Sequence, residues 1–180
     1  MVTNSFSEKV INWYKLHGRH DLQWRKAITP YRIWISEIML QQTQVVTVKP
    51  YFKKFIKKYP TLKSIQDASE DEILTLWSGL GFYKRARNIF RTKEIIHSEH
   101  KGRFPKTFEE IIKLPGIGKS TAGAIMSIAH QIPTPILDGN VKRILQRYFS
   151  DGKNIFSEKE LWDLSLSVSN ATNSNLFTQG

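Results

Sequence analysis

The chain has 180 residues, 40% hydrophobic and 12% aromatic, which suits one large domain or two small interleaved ones and excludes a disordered chain. Lys and Arg number 27 against 16 Asp and Glu, and the resulting +11 points to a polyanionic partner such as nucleic acid or an anionic membrane. The cysteine count is zero, so the chain itself holds no disulfide, thiolate nucleophile or cysteine-ligated cluster. No apolar run reaches the length of a membrane span and MVTNSFSEKV lacks a signal-peptide layout, so a cytosolic protein is expected.

Apolar spacing is helical nearly everywhere, with no long stretch of strict alternation, and this predicts an all-α fold. A first helix is expected over 7–17, ended by Gly18. Thr29 and Pro30 open the next, whose sequence between Tyr31 and Val46 is apolar on most of its circumference and therefore expected to be buried. One acid sits inside it. Glu37 lies three residues from Trp34 and Leu40 and four from Ile33 and Gln41, so it shares a face with large apolar groups. Desolvation there would raise its pKa and keep a proton available near neutral pH. On periodicity alone, a carboxyl that reaches the surface or pairs with an Arg stays equally open. Gln41, Gln42 and Thr43 are read as continuing this helix with uncharged groups suited to base edges in an opened duplex.

Further helices are expected over 46–58, ended by Pro60, near 62–67, from the capping box Ser69 with Glu72, and over 83–98. Lys53, Lys54, Lys57 and Lys58 read as a solvated helix face. Lys84, Arg85, Arg87 and Arg91, after the Gly79-Leu80-Gly81 turn, are assigned to a DNA footprint, as are Lys142, Arg143 and Arg147 on a helix expected over 139–149.

The segment 107–130, opened by the capping box Thr107 with Glu110, reads as helix, tight glycine turn, helix. Gly116 and Gly118 stand where a turn needs positive φ and a backbone must approach something closely. The second helix begins near Lys119 and Ser120, where free N–H groups, the positive end of the helix dipole and a lysine make a phosphate seat. The pattern Leu-Pro-Gly-Ile-Gly-Lys-Ser-Thr-Ala, which includes Thr121, between two apolar helices in a basic chain favours a helix-hairpin-helix gripping duplex DNA over an ordinary helical hairpin. Asp138 precedes Gly139-Asn140 and reads first as an N-cap, a role that also holds a carboxylate rigid and ionised. Paired with Glu37 it would supply the acid and the anion that glycosidic cleavage through an oxocarbenium-like state requires. A last helix starts at Ser157 with Glu160. From Asn170 to Gly180 no capping or closing element is expected, and the chain looks cut.

These residues carry a resemblance over nearly the whole chain. The stretches Trp34 to Thr43, Leu76 to Gly81, Leu114 to Ala124 and Ile136 to Arg143 are similar to the A/G-specific adenine DNA glycosylases of the MutY type, within the helix-hairpin-helix glycosylases. The resemblance implies an all-α fold of two helical subdomains with a central cleft, C-terminally truncated here: 1–29 with 131–180 as one subdomain, and 30–130 as a six-helix subdomain. It implies base excision of adenine opposite 8-oxoguanine or guanine in double-stranded DNA, by a monomer in the bacterial cytoplasm at the nucleoid, with no membrane partner. By position Glu37 looks like the general acid at adenine N7, Asp138 like the carboxylate that stabilises the oxocarbenium ion, and Asn140 assists. Trp24 and Arg25 look like adenine-pocket residues, and Leu40 and Gln42 like residues at the opened pair. Ser120 stands where the related endonuclease III type has a Schiff-base lysine, so little or no strand-cleaving lyase activity is expected.

The chain departs from the family in three ways. Phe82, before Tyr83, replaces a usual tyrosine; its ring can still stack or wedge. The four cysteines of the family's 4Fe-4S cluster are absent, so no cofactor is expected in this chain and no metal is needed. A C-terminal reader domain is also missing. Three other functions stay open: a DNA-binding fragment inactive through truncation, an endonuclease III-type pyrimidine glycosylase/lyase, and an RNA binder.

Overall fold

The computed structural model describes residues 2–150, 152, 155–169 and 173–180, with side chains from Ser5 onward. All regular elements among them are helical: α1 Val2–His17, α2 Gln23–Lys26, α3 Pro30–Leu40, α4 Val45–Lys58, α5 Leu62–Ile65, α6 Glu70–Trp77, α7 Lys84–Glu99, α8 Phe108–Ile111, α9 Lys119–Ala129, α10 Gly139–Phe149, α11 Glu158–Ser169 and α12 Ser174–Gln179. Several starts follow from local chemistry. Thr29 accepts a hydrogen bond from Arg32 N at 3.2 Å, with Pro30 in the first turn, where its missing N–H costs nothing. Ser69 with Glu72 and Thr107 with Glu110 close reciprocal capping boxes, and Ser157 with Glu160 exchange the same two bonds. These bonds hold the Glu72, Glu110 and Glu160 carboxyls below the ordinary glutamate value.

The chain forms two compact units, Met1–Arg19 with Lys119–Gly180, and His20–Gly118. The division falls before α2 and before α9, rather than at 29/30 and 130/131. The packing explains both boundaries: α2 rests on α3 and α4, and α9 on α12.

In the unit His20–Gly118, α3 is the buried axis. Ile33, Trp34, Ile35, Ile38 and Met39 are at most 1% exposed, and α4 and α7 pack against it. Burial of each such side chain contributes roughly 1.5–3 kcal/mol. The helix does not run on through Gln41, Gln42 and Thr43, as the apolar pattern predicts. It stops at Leu40, and Gln42 takes φ +54. The cause is Arg85 of α7, 7% exposed, whose Nη1 donates to the carbonyls of Ile38 (3.2 Å), Met39 (2.8 Å) and Gln41. The last carbonyls of a buried helix need donors, and here a guanidinium supplies them.

In the unit of the chain's two ends, Phe6, Leu137, Leu145, Leu161 and Val168 form the core. The irregular segment 131–138, which Gln131 opens at φ +57, has no neighbouring strand among the described residues, and three serines take the part of one. Ser127 Oγ donates to Thr134 O at 3.0 Å and accepts from Thr134 N at 3.1 Å. Ser165 Oγ donates to Ile136 O at 2.7 Å and accepts from Ile136 N at 3.1 Å, and Ser120 Oγ accepts from Leu137 N at 3.2 Å. Small residues on α9 let the segment lie close: a Cβ on Gly123 would stand 2.4 Å from Pro135 O. The chain end also differs from expectation. Asn170 to Thr172 lie outside the described residues, but Asn173 caps α12 by accepting from Leu176 N at 3.0 Å.

Ser165→Ala deprives both backbone groups of Ile136 of their partner at once. The expected outcome is a loss of about 2 kcal/mol in denaturant unfolding followed by circular dichroism.

Candidate active site

Glu37 lies in the last turns of α3, half-buried, on a helix whose Ile33 and Trp34 are fully buried. Leu40 follows it, also half-buried. Beyond Leu40 the chain folds back in a turn rather than presenting a helical row of amides. Gln41 Nε2 donates to Gly116 O at 3.1 Å, which joins this turn to the hairpin, and Thr43 Oγ1 donates to Gln41 O at 3.3 Å. Of the three polar side chains expected to face bases, Gln42 alone is exposed, and Gln41 and Thr43 are half-buried.

A second turn follows α6. Gly79 and Gly81 take φ +92 and +77, and Phe82, which is not glycine, takes +49. Trp77 Nε1 donates to Gly81 O at 3.0 Å, and Arg85 Nη2 to the same oxygen at 3.3 Å. Phe82 and Tyr83 are 59% and 42% exposed, unusual for aromatic rings at a sharp turn. Arg85, assigned from sequence to the DNA footprint, is corrected here. It is buried between the rings of Trp77 and Phe82, at 5.5 and 5.2 Å, and its donors serve backbone carbonyls. The helical period held the signal, because Arg85 shares a face with Ile89, Thr92, Lys93 and Ile96, all buried. Arg87 pairs with Glu70 at 3.3 Å.

Before α9 the hairpin closes tightly: Leu114 N donates to Ile111 O and Ile117 N to Leu114 O, both at 3.1 Å. Gly116 takes φ +79, and a Cβ there would press on Asn88 Nδ2 at 2.5 Å. Gly118 does not have positive φ, and a Cβ there would meet nothing within 4 Å, so the fold itself does not demand glycine at that position. Lys119 is exposed, with its ammonium 5.8 Å from the Trp162 ring centre. Ser120 and Thr121 are half-buried in the first turn of α9, and Ser120 holds the segment leading to Asp138.

Asp138 is the N-cap of α10. Its Oδ1 accepts from Asn140 N and Val141 N, each at 2.8 Å. The side chain is thus exposed yet fixed, at the positive end of an eleven-residue helix. Asn140 Oδ1 accepts from Arg143, and Lys142 pairs with Glu158 at 3.3 Å, an exposed pair of little energetic weight. Trp24 is 5% exposed with its ring edge-on to Phe52 at 5.2 Å, and lines a shallow hollow with Asp21, Gln23, Lys49, Pro50 and Lys53. Arg25 beside it is half-buried. The residues present do not fit a cysteine-ligated cluster: the chain has no cysteine, and among the described residues no three His, Asp or Glu side chains gather. No described helix is long and apolar enough to cross a membrane.

A glycine turn between α8 and α9, followed by an aspartate that caps α10, makes a helix-hairpin-helix arrangement with a fixed carboxylate on the next helix. The chain belongs to the HhH-GPD superfamily of base excision DNA repair proteins, whose pattern matches residues 35–165. It is similar to the adenine DNA glycosylase of Buchnera aphidicola subsp. Acyrthosiphon pisum (strain APS), 52% identical over 178 residues, which are 97% of this chain and 51% of that protein. The adenine DNA glycosylase of Buchnera aphidicola subsp. Baizongia pistaciae (strain Bp) is 51% identical over 180 residues, 99% of this chain and 51% of that protein. The chain therefore spans about half the length of the curated relatives it matches. Among solved structures, that of a thermostable thymine-DNA glycosylase has a TM-score of 0.87 at 27% identity, covering 98% of this chain and 82% of that one.

Two substitutions test the Asp138 cap. Asp138→Ala removes both bonds and is expected to cost about 1 kcal/mol in thermal or denaturant unfolding, whereas Asp138→Asn keeps an acceptor oxygen and stays within a few tenths of the unsubstituted chain.

Proposed function

We propose that this chain carries the base-excising part of an adenine DNA glycosylase, acting on adenine opposite 8-oxoguanine or guanine in duplex DNA. The observation that carries this reading is the 52% identity over 97% of the chain to a protein named adenine DNA glycosylase. The local chemistry supports it. Excision needs the adenine turned out of the stack, because the glycosidic bond is shielded inside the duplex. Glu37, half-buried beside Ile33 and Trp34, is assigned the proton donor to adenine N7. Protonation makes the base a leaving group, the bond from C1′ to N9 breaks with its electron pair on the base, and an oxocarbenium ion remains on the sugar. Asp138, held by two backbone N–H groups, is assigned the anion that stabilises this cation, with Asn140 next to it. Water then adds to C1′ and gives up a proton to the carboxylate left on Glu37.

The hairpin residues Gly116, Gly118, Lys119, Ser120 and Thr121, with Lys142, are assigned to the DNA backbone, and contacts of that kind position a protein without reading sequence. Trp24, Arg25, Leu40, Gln41, Gln42, Thr43, Phe82 and Tyr83 are assigned to the opened pair and the adenine. Because Gln41 is tied to Gly116 and Trp24 is buried, the direct contacts in this reading fall chiefly to Gln42, Phe82 and Tyr83. The protein is read as a monomer of the bacterial cytoplasm, bound to the nucleoid.

Duplexes with one adenine opposite 8-oxoguanine, guanine or thymine, incubated with the chain and then treated with alkali, test the reading. Strand scission is expected with the first two duplexes. It should fall by roughly 10²–10⁴ in Glu37→Gln, the span for loss of a general acid, and drop similarly in Asp138→Asn. Borohydride should trap no covalent complex, since Ser120 has no amine; trapping would favour the endonuclease III type. Duplex binding without any base release would favour a binding fragment.

Gly118→Ala tests the hairpin separately. Stability is expected to change by less than about 0.5 kcal/mol, because the added methyl meets open space, while duplex affinity at low salt falls roughly ten-fold through the lost close approach. Unchanged affinity would remove Gly118 from the DNA contact.

A further inference from the structure

Three residues other than glycine stand exposed in the left-handed region in the unit His20–Gly118 at turns that follow helices, Gln42 at φ +54, Phe82 at φ +49 and Lys101 at φ +54. Each such conformation costs on the order of 1–2 kcal/mol for a residue with a Cβ and persists only where its surroundings over-determine it. The turns of Gln42 and Phe82 are forty residues apart in sequence, and one side chain serves these two. Arg85 Nη1 donates to the carbonyl of Gln41 and Arg85 Nη2 to the carbonyl of Gly81. These are the peptide oxygens immediately before Gln42 and before Phe82, so the guanidinium fixes the plane from which each φ is turned.

The other contacts of Arg85 make this clasp stiff. Nη1 also takes the carbonyls of Ile38 and Met39, the rings of Trp77 and Phe82 flank the guanidinium, and only 7% of the residue is exposed. Its Nε is buried with no hydrogen-bond partner. A planar fork can bridge carbonyls on two turns; an ammonium on a flexible stem cannot hold both planes.

We propose that Arg85 is a positioning residue for base opening: by holding the peptide planes before Gln42 and Phe82, it presents these two side chains together as one rigid wedge for the duplex stack. The inference rests on the reading of function given above. Gln42 supplies amide hydrogen bonding toward a base left without its partner, and the Phe82 ring supplies a face for stacking between neighbouring bases. The ring itself leans on the guanidinium, so its pose depends on Arg85 even though it reaches solvent. A wedge preset in this way opens the stack without first ordering two loops.

The test uses a duplex with adenine opposite 8-oxoguanine and 2-aminopurine in the adjoining step, whose fluorescence rises when it unstacks. The unsubstituted chain, Arg85→Lys, Gln42→Ala and Phe82→Ala are compared for duplex affinity, fluorescence gain and single-turnover base release. Arg85→Lys is expected to bind within about three-fold of the unsubstituted chain but to lose roughly ten-fold in fluorescence gain and in release rate, the population set free when one left-handed residue relaxes. Its release should recover toward that of the unsubstituted chain on a duplex in which the adenine faces an abasic gap and needs little opening, which a merely structural defect would not allow.

Full fluorescence gain in Arg85→Lys overturns the proposal. If Arg85→Lys does not fold, the two exposed-residue variants decide: undiminished gain in both overturns it, and loss in both supports it. Duplex binding by the unsubstituted chain with no fluorescence gain overturns this inference while leaving DNA binding intact. Failure to bind the duplex at all overturns the functional reading and this inference with it.

Discussion

A buried helix that stops inside the protein leaves carbonyls that water cannot reach, and α3 is such a helix. Its side chains make the core of the unit His20–Gly118, so it cannot run on to the surface to find solvent for its last turn. Arg85 satisfies those carbonyls, and the positions of the turn after α3 and of the turn after α6 follow from where its guanidinium lies. The residue is thus structural and, in the proposal above, functional through the same bonds. Burial draws the guanidinium below its ordinary pKa, yet arginine remains a cation at neutral pH, so the clasp does not depend on a titration there.

Much of the fold was legible because helix starts are local chemistry. Thr29-Pro30, Ser69 with Glu72, Thr107 with Glu110 and Ser157 with Glu160 each mark a start that the structure contains, since a cap depends on residues within four positions of each other. The end of α3 was not legible in the same way. Apolar spacing continues to Val46, and the helix breaks because of a partner more than forty residues away. The box of Thr61 with Ser64 was also passed over, as serine at the third helical position is an uncommon substitute for an acid.

The site was legible to a different degree at each residue. Asp138 as a cap could be read from its place before Gly139 and Asn140, and the cap is there. Arg85 was misread because a run of basic residues in a basic chain suggests phosphate contacts, while its position relative to Ile89 and Ile96 on a 3.6-residue period pointed inward. Of the serines that support residues 131–138, Ser127 and Ser165 carried no signal, and Ser120 was read for other roles. Serine in a helix reads as neutral, and its value to Ile136 or Leu137 depends on a segment brought alongside by the tertiary fold.

The close approach of the segment 131–138 to α9 has a bearing on how this protein can vary. At Gly123 even a methyl group would collide with the Pro135 carbonyl, and the colliding atom is backbone, which cannot swing aside as a flexible side chain does. Pro135 lies three residues before Asp138, and the two residues between them are held by Ser165 and Ser120, so a displaced carbonyl strains the bonds that lead to the carboxylate. Inherited changes at Gly123 should therefore disturb the capped end of α10 as well as the helix that carries the glycine. A position that offers no side chain at all can thus be as constrained as one that carries a carboxylate.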